Sequence, residues 1–327
     1  MIFFFVLIIS TLISILSNSW FGCWMGLEIN MMSFIPMIIK SNNMFSTEAS
    51  LKYFLTQSIA SINFLFIIIM NMMNLNKFNN QIISIMINSS MLMKMGSAPF
   101  HFWFPNIVEG LSWMNNFILM TWQKITPMIL MSYYLNNEFL FIIIIMNIII
   151  GALGGLNQIS FRKLMAFSSI NNLSWMLMSI MISENLWMFY LLMYTFLIKI
   201  MCFMFYITNM FYINQIFINN INPMIKINIF INFLSLGGLP PFIGFFPKWI
   251  IINFMMYNNM YLLTFIFIIM SLIVLFFYIR IIYSSLMFNY LKMKWFKISL
   301  KNNMMLMINF YSMMSIMGMI ISTLFYL

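Results

Sequence analysis

The sequence predicts an all-α polytopic membrane protein with about eleven spanning helices, at roughly twenty apolar residues to a span. Three observations lead there. Of 327 residues, 64% are hydrophobic and only 6% are charged, with a mean hydropathy of +0.99, which excludes an ordinary water-soluble domain. The apolar residues fall into runs of spanning length separated by short polar stretches. Lipid offers backbone N–H and C=O groups no partners, so helices that bond internally are what such runs must form.

The first run, residues 1–18, is apolar from its second residue, with no basic segment before it and no cleavage motif after it. It reads as a span rather than a removable signal. Runs follow at 21–39, 52–73, 82–100, 113–134, 139–157, 164–182 and 186–211. The ninth, 224–252, is the least regular, because Gly237, Gly238, Pro240, Pro241, Gly244 and Pro247 interrupt it. The last two cover 259–287 and 303–326. Gly22 with Gly26, and Gly151 with Gly155, have the four-residue spacing that lets neighbouring helices approach closely. The run GALGGL at Gly151–Leu156 lies in an apolar helical pattern with no strand before it, so it is not a nucleotide-binding fingerprint.

Basic residues set an orientation. Counting loops in order, the even-numbered ones hold Lys40, Lys52, Arg162, Lys163, Lys292, Lys294, Lys297 and Lys301, while the odd-numbered ones hold essentially Lys77 alone. The positive-inside rule puts the N-terminus and the even loops on one face and the C-terminus on the other. The net charge of +10 comes from cations scattered singly apart from that last cluster, as at the negative face of a membrane and unlike a nucleic-acid site. Cys23 and Cys202 lie far apart in apolar runs, His101 is the single histidine, and there is no aspartate, so no metal or redox cluster can be assembled.

Two segments combine a helix break with a lysine on the flank. One runs from Lys94 through Gly96 and Pro99 to His101 and Pro105, and the other from Leu236 through Gly238, Pro240 and Pro241 to Pro247 and Lys248. Gly/Pro-interrupted spans in corresponding positions of two halves point to a transport site, since unwound backbone is tolerated only beside a cavity or within protein. The breaks fall in the fourth and ninth runs. This five-span offset suggests two repeats of inverted orientation, about 1–135 and about 139–287, followed by a C-terminal helix at about 303–327.

The charges inside the runs are the candidate functional residues. Intramembrane ionisable groups are costly, about 2.5–3.5 kcal/mol at the helix centre, and usually face a wet path or one another. Lys124 lies mid-span with about ten residues on either side, too deep for its stem to reach the interface. Pro127 loosens the helix beside it. Lys94 and Lys248 have two readings, as proton carriers or as cations capping the C-terminal ends of half-helices. Glu28, central in the second run, reads as an ion-pair partner that tunes a lysine. His101 is either a proton relay or a polar residue bonded to a loop. Lys199 lies as deep as Lys124 and draws the same suspicion. Glu109, Glu138 and Glu184 stand near span ends, and Glu48 with Lys52 looks like an exposed pair one helical turn apart.

Read together, these segments resemble one family. GLEINMMSFIP around Glu28, STEASLKYFLTQ at Ser46–Gln57, KMGSAPFHFW at Lys94–Trp103 and TWQKITP around Lys124 are similar to the subunit-2 family of mitochondrial NADH:ubiquinone oxidoreductase (respiratory complex I). So are GGLNQISFRKLMAFSSI at Gly154–Ile170, LSLGGLPPFIGFFPKW at Leu234–Trp249 and FYIRIIYS at Phe277–Ser284. The resemblance runs in order along nearly the whole chain. Heavy use of Ile, Met, Asn, Phe, Lys and Tyr suggests an AT-rich gene, as expected of an insect mitochondrion. The resemblance implies an antiporter-like, proton-carrying subunit of the inner mitochondrial membrane, with its basic face toward the matrix. It also implies a hetero-oligomer of other membrane-arm subunits, antiporter-like neighbours among them, in contact with lipids and without nucleic acid. No cofactor is implied for this chain, redox chemistry being carried elsewhere in the enzyme. By motif, Glu28 is the implied ion-pair glutamate, Lys94 its lysine partner, Lys124 the central lysine and Lys248 the exit-side lysine, while His101 matches the histidine after the first break. Lys199 has no counterpart in the motif set, and Asn106 stands where the family more often has glutamate.

Two alternatives follow from the same residues. A stand-alone or Mrp-like cation/proton antiporter subunit would carry the same lysines, and association with a redox enzyme separates it. A passive scaffold accounts for the apolar bulk but leaves the titratable groups at membrane depth without a reason.

Overall fold

The computed structural model describes residues 2–39, 43–73, 80–218, 220–221, 223–287, 297–298 and 302–318. Lys40, Lys77, Lys292, Lys294 and Lys301, on which the orientation partly rests, lie outside these residues. The chain folds as two compact units, Met1–Asn147 and Ile148–Leu327.

In the first unit, α1 (Ile2–Leu16), α2 (Trp20–Ile38), α3 (Met44–Met72) and α4 (Asn80–Met95) follow the first four runs. A short 3-10 turn at Phe100–Phe102 leads into α5 (Trp103–Gly110), then α6 (Trp113–Met120), α7 (Trp122–Ser132) and the start of α8 (Asn137–Gly155). Ser19 caps α2, its hydroxyl accepting the Gly22 N–H, the usual task of a serine at a helix start. Glu48 and Lys52 form the expected exposed ion pair, at 2.6 Å.

The second unit holds α9 (Phe161–Ile182), α10 (Glu184–Thr208), the short α11 (Asn214–Ile218), α12 (Pro223–Gly237), α13 (Phe245–Tyr257), α14 (Tyr261–Met287) and α15 (Asn302–Ile316). Among the described residues, the strands amount to a two-residue parallel pairing of Asn220–Ile221 with Lys297–Ile298. Burial departs from that of a soluble protein, since large apolar side chains are abundant on the exposed faces as well as in the core. The apolar stretch of α9, a helix with six buried Ser and Asn side chains, is 83% buried, whereas that of α14, almost wholly apolar, is 28% buried. Polar residues go where protein can bond them, and apolar ones go where lipid can touch them.

Among the described residues, six helices, α2, α3, α8, α9, α10 and α14, are long and apolar enough to cross a membrane singly, and α1, α12 and α15 are shorter apolar helices. The remaining runs are built from helix pairs. Two of them were expected as broken helices, but the fifth was expected to be continuous and is divided at Thr121. There the backbone leaves the helix (φ −119°, ψ −68°), and the Lys124 N–H bonds the Thr121 carbonyl three residues back rather than four. Pro127, three residues beyond Lys124, has no N–H for the Gln123 carbonyl, a second interruption of the helical bonding in this segment.

The glycine spacings mark close crossings, as expected. A Cβ on Gly26 would lie 2.7 Å from the Ser14 Cβ on α1, and one on Gly151 would lie 2.6 Å from the Asn171 nitrogen on α9.

Candidate functional site: two broken helices and their lysines

In the first unit α4 stops because Gly96 takes a left-handed conformation (φ +70°) and Pro99 follows, so the last carbonyls of α4 lose their helical donors. Two polar side chains from neighbouring helices repair the break. The side-chain N–H of Gln57, on α3, donates to the Lys94 carbonyl at 3.0 Å. Asn147, on α8, accepts the Ala98 N–H with its side-chain oxygen. Neither residue was singled out in the sequence, although Asn147 is the one polar residue in the run IIIIMNIII, and that was the available signal.

Lys94 itself is buried. Its side chain borders a small cavity with Leu27, Asn30, Gln57, Gln123 and Thr126 that leaves about 10 Å³ for the centre of a water molecule, room for roughly one. Gln123 donates to the Asn30 oxygen across it at 2.9 Å, tying α7 to α2. Glu28, half-buried on α2, acts on Lys94 electrostatically, although no contact ion pair between them is described. Lys124 is 1% exposed and stands one position round α7 from the cavity-lining Gln123, with its Nζ 5.6 Å from the centroid of the Phe104 ring. The cation–π contact gives a buried ammonium partial compensation. His101 is buried in the turn after the break, with its ring 4.3 Å from that of Phe102, and it does not line the Lys94 cavity.

The second unit repeats the break with different donors. α12 ends at Gly237, Gly238 is left-handed (φ +82°), and Pro240 and Pro241 prevent any continuation before α13. Lys248, buried on α13, turns its ammonium back to the Gly237 carbonyl at 2.9 Å and the Leu236 carbonyl at 3.4 Å, under the Trp175 ring at 5.8 Å. The capping reading of Lys248 therefore holds in this structure. The neighbouring α9 and α10 carry buried polar groups that bond each other, among them Tyr190, whose hydroxyl donates to Asn172 at 2.9 Å.

Two residues depart from the sequence reading. Lys226, three positions into α12, is buried like the named lysines, and the sequence reading gave it no role. Lys199 is exposed although it lies deep in α10. Depth in a run was taken as a sign of burial, but the face of the helix decides burial, and Lys199 is on the outer one. Glu138 and Glu184 are exposed at helix starts as expected, and Glu109 is half-buried.

Two broken helices with buried lysines on or beside them, one of which caps main-chain carbonyls, mark a polytopic membrane protein of the antiporter-like type. The model of the NADH:quinone oxidoreductase/Mrp antiporter transmembrane family matches residues 17–274, and the chain belongs to that family. It is 51% identical to NADH-ubiquinone oxidoreductase chain 2 of Anopheles gambiae, over 100% of this chain and 97% of that one. The same-named chain of Locusta migratoria is 44% identical over the same shares. Among solved structures, a chain of respiratory complex I from Thermus thermophilus superposes with a TM-score of 0.80 at 16% identity, covering 97% of this chain and 77% of that one. A chain of the Mrp complex from Dietzia sp. gives 0.76 at 15% identity, covering 84% of this chain and 58% of that one, so the fold is common to both branches of the family.

Proposed function

We propose that this chain is a proton-translocating membrane subunit of an NADH:ubiquinone oxidoreductase in the inner mitochondrial membrane. The observation that carries the reading is three buried lysines, Lys94, Lys124 and Lys248, on or beside interrupted helices in a chain half identical, end to end, to NADH-ubiquinone oxidoreductase chain 2. Redox chemistry belongs to other subunits, and this chain binds no cofactor of its own. Its neighbours are other membrane subunits of the complex, including antiporter-like ones. The N-terminus and the basic loops face the matrix and the C-terminus faces the intermembrane space, a reading supported by the count of lysines and arginines in alternate loops.

Burial brings a lysine into the range where it exchanges protons near neutral pH. Glu28 tunes how tightly Lys94 holds its proton. When that carboxylate draws away, the proton passes from Lys94 to Lys124, and Lys248 is the later holder that releases it. Two unit charges about 10 Å apart interact by roughly 1.7 kcal/mol at an effective dielectric of about 20. Moving one charge against a membrane potential costs about 2.3 kcal/mol per 100 mV. One pair interaction is thus too small to drive a proton across, and several coupled groups act in series. The two breaks belong to two five-span repeats, a reading supported by the left-handed glycine in each, Gly96 and Gly238.

The test is a native gel of mildly solubilised inner membranes stained for NADH dehydrogenase activity. Peptides of this chain in stoichiometric amount in the active band are the expected result. The chain confined to smaller assemblies without that activity would instead assign it to the Mrp-like antiporter branch, and cation-exchange assays in vesicles would then replace the pumping assays.

A further inference from the structure

Lys199 is the one deep lysine that the buried network leaves out. α10 is 25 residues long, and Lys199 lies nine residues before its last, about 14 Å from that end at about 1.5 Å per residue. The other end is farther still. The side chain stands on an exposed stripe with Met188, Leu192 and Tyr206, while the adjacent Ile198 and Ile200 face inward, 0% and 1% exposed. Snorkelling does not rescue it. The Cα–Cβ bonds of a helix tilt toward its N-terminus, which here means away from the nearer end.

Nor does its own unit neutralise it. No ion pair or hydrogen bond of Lys199 is described. Between Ile148 and Leu327 the sequence holds a single acidic residue, Glu184, fifteen positions away on the same helix and about 22 Å along its axis. In the first unit Glu48 is already paired and Glu28 acts on Lys94. With fifteen basic residues against five acidic ones, the chain is short of carboxylates. The stripe also has a wall: Phe196 and Phe203, three before and four after Lys199, pack edge-on against Tyr311 of α15 at 6.4 and 6.3 Å.

We propose that this face of α10, beside α15, is the seat of a transmembrane helix from another subunit, and that this helix presents an aspartate or glutamate at the depth of Lys199. An isolated ammonium in hydrocarbon is costly and a paired one is tolerated, so the residue marks an interface. The inference rests on the assembly proposed above and on nothing about pumping.

The intact complex in mild detergent is treated with a membrane-permeant carbodiimide, which joins a touching amine and carboxylate without a spacer. Its peptides are then mapped. The Lys52–Glu48 pair, at 2.6 Å, serves as the internal control. The expected product links Lys199 to an acidic residue of another membrane subunit. Lys199 recovered unlinked, in a complex whose control pair has reacted, overturns the proposal. Absence of the chain from the complex is a separate failure, of the assembly reading.

Variants give a second and independent arm. Lys199→Arg keeps the charge and should keep the amount of intact complex on a native gel. Lys199→Met strands the partner carboxylate and should lower that amount several-fold. A lysine that faces hydrocarbon predicts the opposite ranking, with methionine tolerated as well as lysine or better, and that ranking would sink the interface. An anionic lipid headgroup would keep the ranking but leave Lys199 without a protein cross-link, which the first arm reads.

Discussion

Gln57 donates its side-chain N–H to the main-chain carbonyl of Lys94 across 3.0 Å. In each unit this carbonyl belongs to the residue two before the left-handed glycine: Lys94 before Gly96, Leu236 before Gly238. In the second unit the donor is the ammonium of Lys248, which also takes the Gly237 carbonyl. The two breaks thus solve one problem, an orphaned helix-end carbonyl away from water, with a neutral amide in one case and a charged amine in the other. The neutral donor leaves the Lys94 ammonium available to Glu28 and the small cavity. The charged donor makes Lys248 a cap, and in the proposed pathway the same ammonium is also a proton holder.

Substitutions at Lys248 should separate those two tasks. Lys248→Gln retains an N–H donor and loses the exchangeable charge, so the complex should keep close to its normal heat stability while proton transfer through this chain stops. Lys248→Met loses both, and leaving the carbonyls without a donor should cost a further ~1–3 kcal/mol. The two readouts are the proton-to-electron ratio in proteoliposomes and the temperature at which the complex dissociates. Equal stability of the two variants would show that the cap contributes nothing.

Gln57→Leu tests the first break in the same way. The leucine leaves the Lys94 carbonyl buried and unpaired, at a cost of about 1–3 kcal/mol, and it removes a polar wall of the Lys94 cavity. Lower dissociation temperature together with slower pumping is the expected pair of effects. A drop in stability with an unchanged proton-to-electron ratio would confine Gln57 to a structural role.

Much of this was legible in the sequence, and the reason is chemical locality. Gly96 with Pro99, and Gly238 with Pro240 and Pro241, interrupt a helix wherever they occur, so both breaks were readable with no tertiary information. Lysines within apolar runs were readable because lipid rarely accommodates them. The division at Thr121 was not, since it depends on a shortened hydrogen bond at Lys124 that composition does not announce. Which face of a helix turns inward was equally hidden in runs apolar all round. The burial of Lys226 near its helix start and the exposure of Lys199 deep in its helix were therefore both hidden until the helices packed. The donors Gln57 and Asn147 come from helices remote in sequence from the group they serve.

Lys124→Met removes a fully buried charge and puts an unbranched apolar side chain in its place. Replacing a buried charge by a well-fitting apolar group is often neutral for stability, so assembly should survive. Proton transfer through this chain should stop while NADH oxidation continues, seen as a reduced proton-to-electron ratio in proteoliposomes. An unchanged ratio would take Lys124 off the pathway.

Glu28→Gln keeps the size of the side chain and removes the charge that acts on Lys94. If the carboxylate tunes the lysine, as proposed, pumping should fall while the band on a native gel stays intact. Loss of the complex itself would instead make Glu28 a structural partner.

The crossing of α1 and α2 sets the position of Glu28, two residues beyond Gly26, and is open to a packing test. A Cβ on Gly26 meets the Cβ of Ser14 at 2.7 Å and its backbone nitrogen at 2.8 Å. Both distances are too short, and only the first involves an atom that a second substitution can remove. Gly26→Ala should therefore force α1 away at an overpacking cost of about 1–3 kcal/mol, lowering the dissociation temperature of the complex. Adding Ser14→Gly removes one clash and leaves the backbone contact, so the double variant should recover part of the loss and not all of it. Contacting residues are where such non-additivity is expected. Simple addition of the two single effects would mean that α1 and α2 do not meet at this crossing.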